Sequence, residues 1–285
     1  MKILIHVVDL ISDEPTILFG GLIAQRTAAS ITLLNVASKK SDKKTDRARG
    51  QSLLDEAVKV LPELPVATKI RRGNPTKKLL AEVEDGDYDL LLVPAWQVNR
   101  IFQQLPLASS GDKKRLPCGV FVVRNPKKSV QHVLICTGGM KVSRPVIEIG
   151  ARLATTLGAH VTLLHVAGLI PSMYTGLETI EETLDELLKT STPVAQHLRQ
   201  AAEYLCELGI SADLKLRHGS TAYEILRELD IGDYDLLVLG ASGASSGWRE
   251  WFLTNITQEV MLAAGVPVLV INQSQIDQET RMLFQ

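Results

Sequence analysis

Cysteine, charge of one sign and long apolar runs are all scarce in this sequence, and each scarcity closes off a class of protein. Three cysteines stand in 285 residues. Cys118, Cys136 and Cys206 form no CxxC pair and leave an odd count, which argues against a disulfide framework or a thiolate metal site and for a reducing compartment. Lys and Arg number 31 against 32 Asp and Glu, a net charge of −1. That balance removes the electrostatic case for nucleic acid or an anionic membrane as main partner. No run approaches the roughly 20 apolar residues of a spanning helix. The opening MKILIHVVDLI holds one Lys, with His6 and Asp9 inside the run and no small-residue cleavage signal. It reads as a buried strand rather than a leader, and the expectation is a cytoplasmic protein. A Walker-type GxxxxGK motif is missing too. Six histidines show no ligand spacing. His160 and His165 lie five apart on one strand and point to opposite faces, so no metal is expected.

What is present is a repeat. GDYDLLLVPA from Gly86 and GDYDLLVLGA from Gly232 lie 146 residues apart, as do Gly73 and Gly219. RGNPTKKLLAEVEDGDYD faces HGSTAYEILRELDIGDYD without a gap. Earlier, SITLLNVA from Ser30 faces HVTLLHVA from His160 at a spacing of 130, shared by ILIHV from Ile3 and VLICT from Val133. The spacing grows by 16 between these blocks, so the second copy carries an insertion. PCGVFVV from Pro117 resembles GVPVLVI from Gly265. Matches kept in order along two halves mark a duplication. The polar stretch RNPKKSVQH, from Arg124 to His132, is the natural linker and predicts domains at 1–126 and 127–285.

Each half alternates short β-branched runs with helical patterns. ILIHVV, ITLLNV, LLLVPA and GVFVVR suit strands covered on both faces. VATKIRR and SADLKLRH add one strand to each half. In SRPVIEIGARLATTLG, Val146, Ile149, Leu153 and Leu157 keep one face and Gly158 ends the helix. Ser220 is placed to cap STAYEILREL, with Glu224 in its first turn. SKKSDKKTDRARG reads as a solvated loop with Asp46 opening the next helix. The fold class is α/β, two repeated Rossmann-like open parallel sheets with right-handed crossovers. Ligands of such sheets bind beyond the carboxyl ends of the strands, where the strand order reverses.

There the halves differ. The second runs from strand four into GASGASSGWREWFLTNITQEV, where Gly240 and Gly243 can present bare amides to an anion. A helix starting near Thr254 and Asn255 would aim its positive end at the same place, and Thr257 adds a hydroxyl. The same letters also fit a plain turn and an ordinary N-cap. Trp248, Trp251 and Phe252 either close over a ligand or anchor the loop. The first half instead has Pro94, which lacks an N–H, with Trp96 and Phe102 filling the region. The insertion, residues 169–192, carries a stripe of Leu177, Ile180, Leu184, Leu187 and Leu188, a lid over the cleft or a cover for the core.

Two copies of a strand similar to ILVPVD, then LLHV, a helix start similar to G-x-P-A-E-E-I, and VLGxxG before a PVLVV strand resemble the universal stress protein family in tandem form. The likeness covers nearly the whole chain and implies that family's adenine-nucleotide-hydrolase-like fold. Nucleotide-binding members carry G-x2-G-x9-G-[ST] after strand four for phosphates and ribose, an Asp after strand one, and main-chain groups after strand two for the adenosine. Gly240 and Gly243 match the first two glycines. The third is absent, and aligning ITQEV with the family's helix puts Thr254 and Asn255 in its place. Thr137, Gly138 and Gly139 stand where the Asp belongs, while the first half keeps Asp9 without the glycines. Val166 falls where backbone reads adenine. Gly219 matches another loop glycine, which an ordinary turn explains as well. The implied binding set is Thr137, Gly138, Gly139, Val166, Gly240, Ser242, Gly243, Thr254, Asn255 and Thr257.

The leading expectation from this resemblance is a sensor or regulator that binds ATP, ADP or AMP in its second half, with magnesium left open. The alternative is a nucleotide-free scaffold with both sites degenerate, working through pairing of its halves, a homodimer or another partner. A slow ATP hydrolase is the third reading, and no general base or carboxylate pair supports it.

Overall fold

Eight largely apolar runs and two mixed edge runs become ten strands of one sheet in the computed structural model of the chain, which describes residues 1–37, 43–61, 63–103, 118–139, 143–168, 182–240 and 255–271. The first half contributes β1 (Lys2–His6), β2 (Ser30–Ala37), β3 (Val66–Arg72), β4 (Leu90–Pro94) and β5 (Gly119–Val123). The second contributes β6 (His132–Thr137), β7 (His160–Ala167), β8 (Ala212–His218), β9 (Leu236–Gly240) and β10 (Val268–Ile271). Between them lie α1 (Leu10–Thr27), α2 (Lys43–Lys59), α3 (Pro75–Asp85) and α4 (Ala95–Gln103). The later helices are α5 (Arg144–Leu157), α6 (Leu184–Lys189), α7 (Pro193–Glu207), α8 (Thr221–Ile231) and α9 (Asn255–Ala263).

The strand order is β3-β2-β1-β4-β5-β10-β9-β6-β7-β8. Read inward from either edge, both halves follow the same path, and every pairing within a half is parallel. The join is antiparallel, with Val268 opposite Val122 and Val270 opposite Val120. Strand order therefore reverses at β1 and at β6, the two places where a crevice opens in such sheets. The join also sets the carboxyl edge of one half beside the amino edge of the other.

A core lies on each face of the sheet and runs through both halves. One holds Ile5, Leu33, Phe121, Ile135, Leu163 and Val238; the other holds Leu4, Val120, Leu134, Leu164 and Leu237. Successive residues of a strand serve opposite faces, which is why these runs are apolar throughout. In α5, Val146, Ile149, Leu153 and Leu157 are buried, and Gly158 caps the helix at φ 68°. That left-handed turn is one glycine enters without steric cost. Ser220 takes the extended N-cap conformation at the start of α8, but its side chain accepts no cap bond. Of the insertion, the described part packs: Leu187 is buried in the core that α7 joins and Leu188 packs against it. Leu177 and Ile180 lie outside the described residues.

The repeated GDYD has a structural cause. A Cβ on Gly86 would stand 2.1 Å from the Tyr88 ring, and one on Gly232 would stand 2.2 Å from the Tyr234 ring. Each tyrosine hydroxyl donates to a buried glutamate, Tyr88 to Glu82 at 3.0 Å and Tyr234 to Glu228 at 2.6 Å. Each following aspartate accepts from the neighbouring strand's start: Asp89 from the Lys2 amide, Asp235 from the amides of Gln131 and His132. The motif fastens α3 and α8 to the sheet and serves no cleft. The three cysteines are unbonded. Among the described residues no helix is long and apolar enough to cross a membrane, and no group of three or more His, Cys, Asp or Glu is placed to hold a metal ion.

Candidate functional site

The two reversal points are built from the same parts with different chemistry. In the first half, β1 hands over to α1 through Val8 and Asp9. Asp9 caps α1, its carboxylate accepting from the Ser12 amide at 2.9 Å and hydroxyl at 2.7 Å, and these bonds hold its pKa below the usual range. One turn on, Asp13 is fully buried. It accepts from the amides of Val8 (2.7 Å) and Asp9 (3.1 Å), from Trp96 Nε1 (3.0 Å) and from Gln97 Nε2 (3.3 Å). Burial raises its pKa against the pull of those bonds. Gln97 in turn bonds its Oε1 to His6 Nδ1 at 2.6 Å. Because α4 begins at Ala95, directly after Pro94, Trp96 and Gln97 are carried straight over the end of β1.

That agrees with Trp96 filling the region; the Phe102 side chain lies outside the described residues. Asp13 and Gln97 carry the plug, and sequence reasoning missed both. The signal was an acid one turn inside a helix that follows strand one, facing the Trp-Gln pair after strand four.

In the second half the matching position, 130 residues on, is Ser143. The Gly138 amide donates to its Oγ at 3.1 Å, in the manner of Val8 to Asp13. A charged carboxylate is thus replaced by a neutral hydroxyl in the same bond. Where the first half places Trp96 and Gln97, the second has Ser242 and Gly243. The carboxyl ends of β9, β6 and β7 stand side by side, with Ile135 opposite Val238 and Thr137 opposite His165. This gathers Thr137, Gly138, Gly139, Val166, Gly240 and the start of α9 at one edge.

Within that edge, several groups already have protein partners. The Gly139 amide donates to Thr137 Oγ1 at 3.3 Å, and Thr257 Oγ1 donates to the Gly240 carbonyl at 3.4 Å. Thr137 is buried, and its Oγ1 lies 2.8 Å from His197 Nε2 on α7. His165 Nδ1 lies 3.0 Å from the Thr137 carbonyl. A carbonyl only accepts, so Nδ1 carries the proton in this bond. In the first half Asn35 makes the matching bond, donating to the Val7 carbonyl at 2.8 Å. Burial, then the nearby His165, depresses the His197 pKa. Gly139 has φ +74°, and a Cβ there would stand 2.7 Å from His165 Cε1. Val166 is half-buried and packs against the second core. Gly240 has room for little more: a Cβ would meet Val146 Cγ2 at 2.8 Å. Asn255 begins α9. Ser242, Gly243, Thr254 and the aromatics Trp248, Trp251 and Phe252 lie outside the described residues, as does the question of their free amides.

A model of the universal stress protein family matches residues 129–272. The universal stress protein YxiE of Bacillus subtilis (strain 168) is 27% identical over 147 residues, 49% of this chain and 97% of that protein. The crystal structure of a universal stress protein from Archaeoglobus fulgidus DSM 4304 is similar over 95% of this chain and 96% of its own, with 14% identity and a TM-score of 0.67. A putative universal stress protein from Pseudomonas aeruginosa UCBPP-PA14 covers 100% of this chain and 98% of its own, at 15% identity and a TM-score of 0.62. At such identities the structures speak to the fold alone.

Proposed function

The chain belongs to the universal stress protein family, and from that premise we propose that it is a tandem member whose second half binds an adenine nucleotide as a sensor rather than an enzyme. The single observation behind this reading is the exchange of Asp13 for Ser143 at one hydrogen bond. Asp13 brings a buried carboxylate to the end of β1, where it repels phosphate and occupies the amides an anion would use. Ser143 leaves the corresponding place neutral. The loss of Pro94, Trp96 and Gln97 in favour of Gly240, Ser242 and Gly243 removes the rest of the plug. Thr137, Gly138, Gly139 and Val166 would line the adenosine end. Gly240, Ser242, Gly243, Thr254, Asn255 and Thr257 would line the phosphate end, with the start of α9 as its positive pole.

The test is thermal melting of the full chain with ATP, ADP and AMP. A ligand of the native state at 100 times its dissociation constant adds about 2.7 kcal/mol, which is on the order of 5 °C at this size. The double variant Asn255→Ala/Thr257→Val should lose most of that rise. Gly240→Val is a poorer probe, since its Cβ would press on Val146. The nucleotide-free scaffold is favoured by one observation, the partners already held by the Gly138 and Gly139 amides. Unchanged melting at millimolar nucleotide would decide for it.

A further inference from the structure

The outer face of α1 shows solvent an apolar line that its duplicate lacks. Ile11 is 85% exposed, Leu18 is 49% exposed and Leu22 is half-buried. At about 100° per residue the three fall within about 40° of one another. A depression of about 790 Å³ lies over this face, lined among others by Leu18, Phe19, Leu22, Leu61, Leu64 and Pro126. From this line and the charges on either side of it, we propose that α1 is the contact helix of a two-fold homodimer, lying beside its copy with both helices running the same way.

The duplicate serves as an internal control. α5 follows β6 as α1 follows β1, and both helices end on a left-handed residue, Ala28 at φ 50° and Gly158 at φ 68°. At the places of Glu14, Leu18 and Leu22, α5 carries Arg144, Glu148 and Arg152, and Arg144 Nε donates to Glu148 at 2.7 Å. That is the charged i,i+4 pattern of a solvated helix. The fold itself accepts a polar face here, so Leu18 and Leu22 answer to something outside the chain.

Charge decides what that is. To one side of the apolar line lie Glu14 and Gly21, and Gly21 backs onto Leu61 and Leu64, which flank Glu63. To the other side lie Phe19 and Arg26, and Phe19 meets Phe121 of β5, whose chain runs on into Lys127 and Lys128 at the depression. One bank is acidic and the other basic. Lys127 is committed to Asp233 and Asp235. Glu14, Arg26, Glu63 and Lys128 are exposed, and none has an ion-pair partner among the described residues. Because β1, β4 and β5 run parallel, Lys128 stands at the end where α1 begins, and Glu63, just ahead of β3, at the end where it stops. A two-fold axis parallel to α1 sets the acidic bank of each copy against the basic bank of the other. Glu14 then faces the partner's Lys128, and Glu63 faces the partner's Arg26. Antiparallel helices would oppose like charges instead, Glu14 to Glu63 and Lys128 to Arg26. The surface complements itself in one orientation, as a closed dimer requires.

Sedimentation equilibrium of the full chain from about 1 to 100 µM tests the assignment. The mass should rise from one chain to two and stop there. Leu18→Glu/Leu22→Arg, which installs the residues of α5, should raise the dissociation constant about a hundredfold or more with the circular dichroism spectrum unchanged. Glu63→Arg should weaken the dimer about tenfold, and adding Arg26→Glu should restore it. That charge exchange keeps the proposal falsifiable if the leucine variant fails to fold. The mass of a single chain throughout, a dimer indifferent to Leu18→Glu/Leu22→Arg, or an exchange without recovery overturns the proposal, as does growth beyond two chains.

Discussion

At the scale of single residues, one exchange separates the two clefts. Asp13 and Ser143 receive equivalent amides, but only the first brings charge. His165 replaces Asn35 in a second matched bond and places a titratable ring beside His197. The native state keeps His197 neutral, its pKa depressed first by burial and then by His165. The unfolded chain takes up that proton first as pH falls through about 6.5. The stability tied to neutral His197 is therefore present above that value and lost progressively down to the depressed native pKa. Urea unfolding between about pH 5 and 7 should show stability falling with acid, and His197→Gln should flatten the slope by up to about 1.4 kcal/mol per pH unit. Equal slopes in both proteins would remove His197 from the account. His132, also depressed by burial and then by His160, supplies the residual slope.

Between residue and fold lie the elements, and two of them are fastened by one device used twice. Glu82 on α3 meets Lys69, Arg71 and Tyr88; Glu228 on α8 meets Lys215, Arg217 and Tyr234. Burial pushes both carboxyls up, yet the cations and the tyrosine hydroxyl outweigh it and the net shift is downward. Each carboxylate is nearly inaccessible, while the lysines and Arg71 stay almost half exposed, which moderates the gain from pairing. Glu82→Gln and Glu228→Gln should each cost about 2 kcal/mol. Because the two sites share no partner, the double variant should lose the sum. Chemical denaturation of the three proteins checks this, and a neutral effect at either site would mean the copies no longer do the same work. The sequence announced this device only as repeated letters. GDYD was legible as a duplication, but the reasons for Gly under Tyr and Tyr toward Glu lie six residues away in chain and across a turn of helix.

For the whole molecule, the antiparallel join of β5 and β10 matters most. All residues of both strands are buried, and they lie at the centre of one sheet. Separating the chain at the boundary we propose, between Pro126 and Lys127, would expose an apolar edge on each piece. Residues 1–126 and 127–285 made separately should each self-associate, and mixing them should restore a one-to-one complex. Analytical ultracentrifugation distinguishes this from two stable monomers, which would contradict a structural role for the join.

By itself the sequence determined the duplication, the α/β alternation, the strands, the cap at Gly158 and the Pro94-to-Gly240 contrast. These rest on near neighbours and on periodicity, which a single chain displays in order. Tertiary structure alone decided that two parallel units meet antiparallel in one sheet, and that Asp13 is stoppered by residues more than 80 positions away. Those outcomes depend on which strand edges and which side chains packing brings together, and no local pattern encodes either.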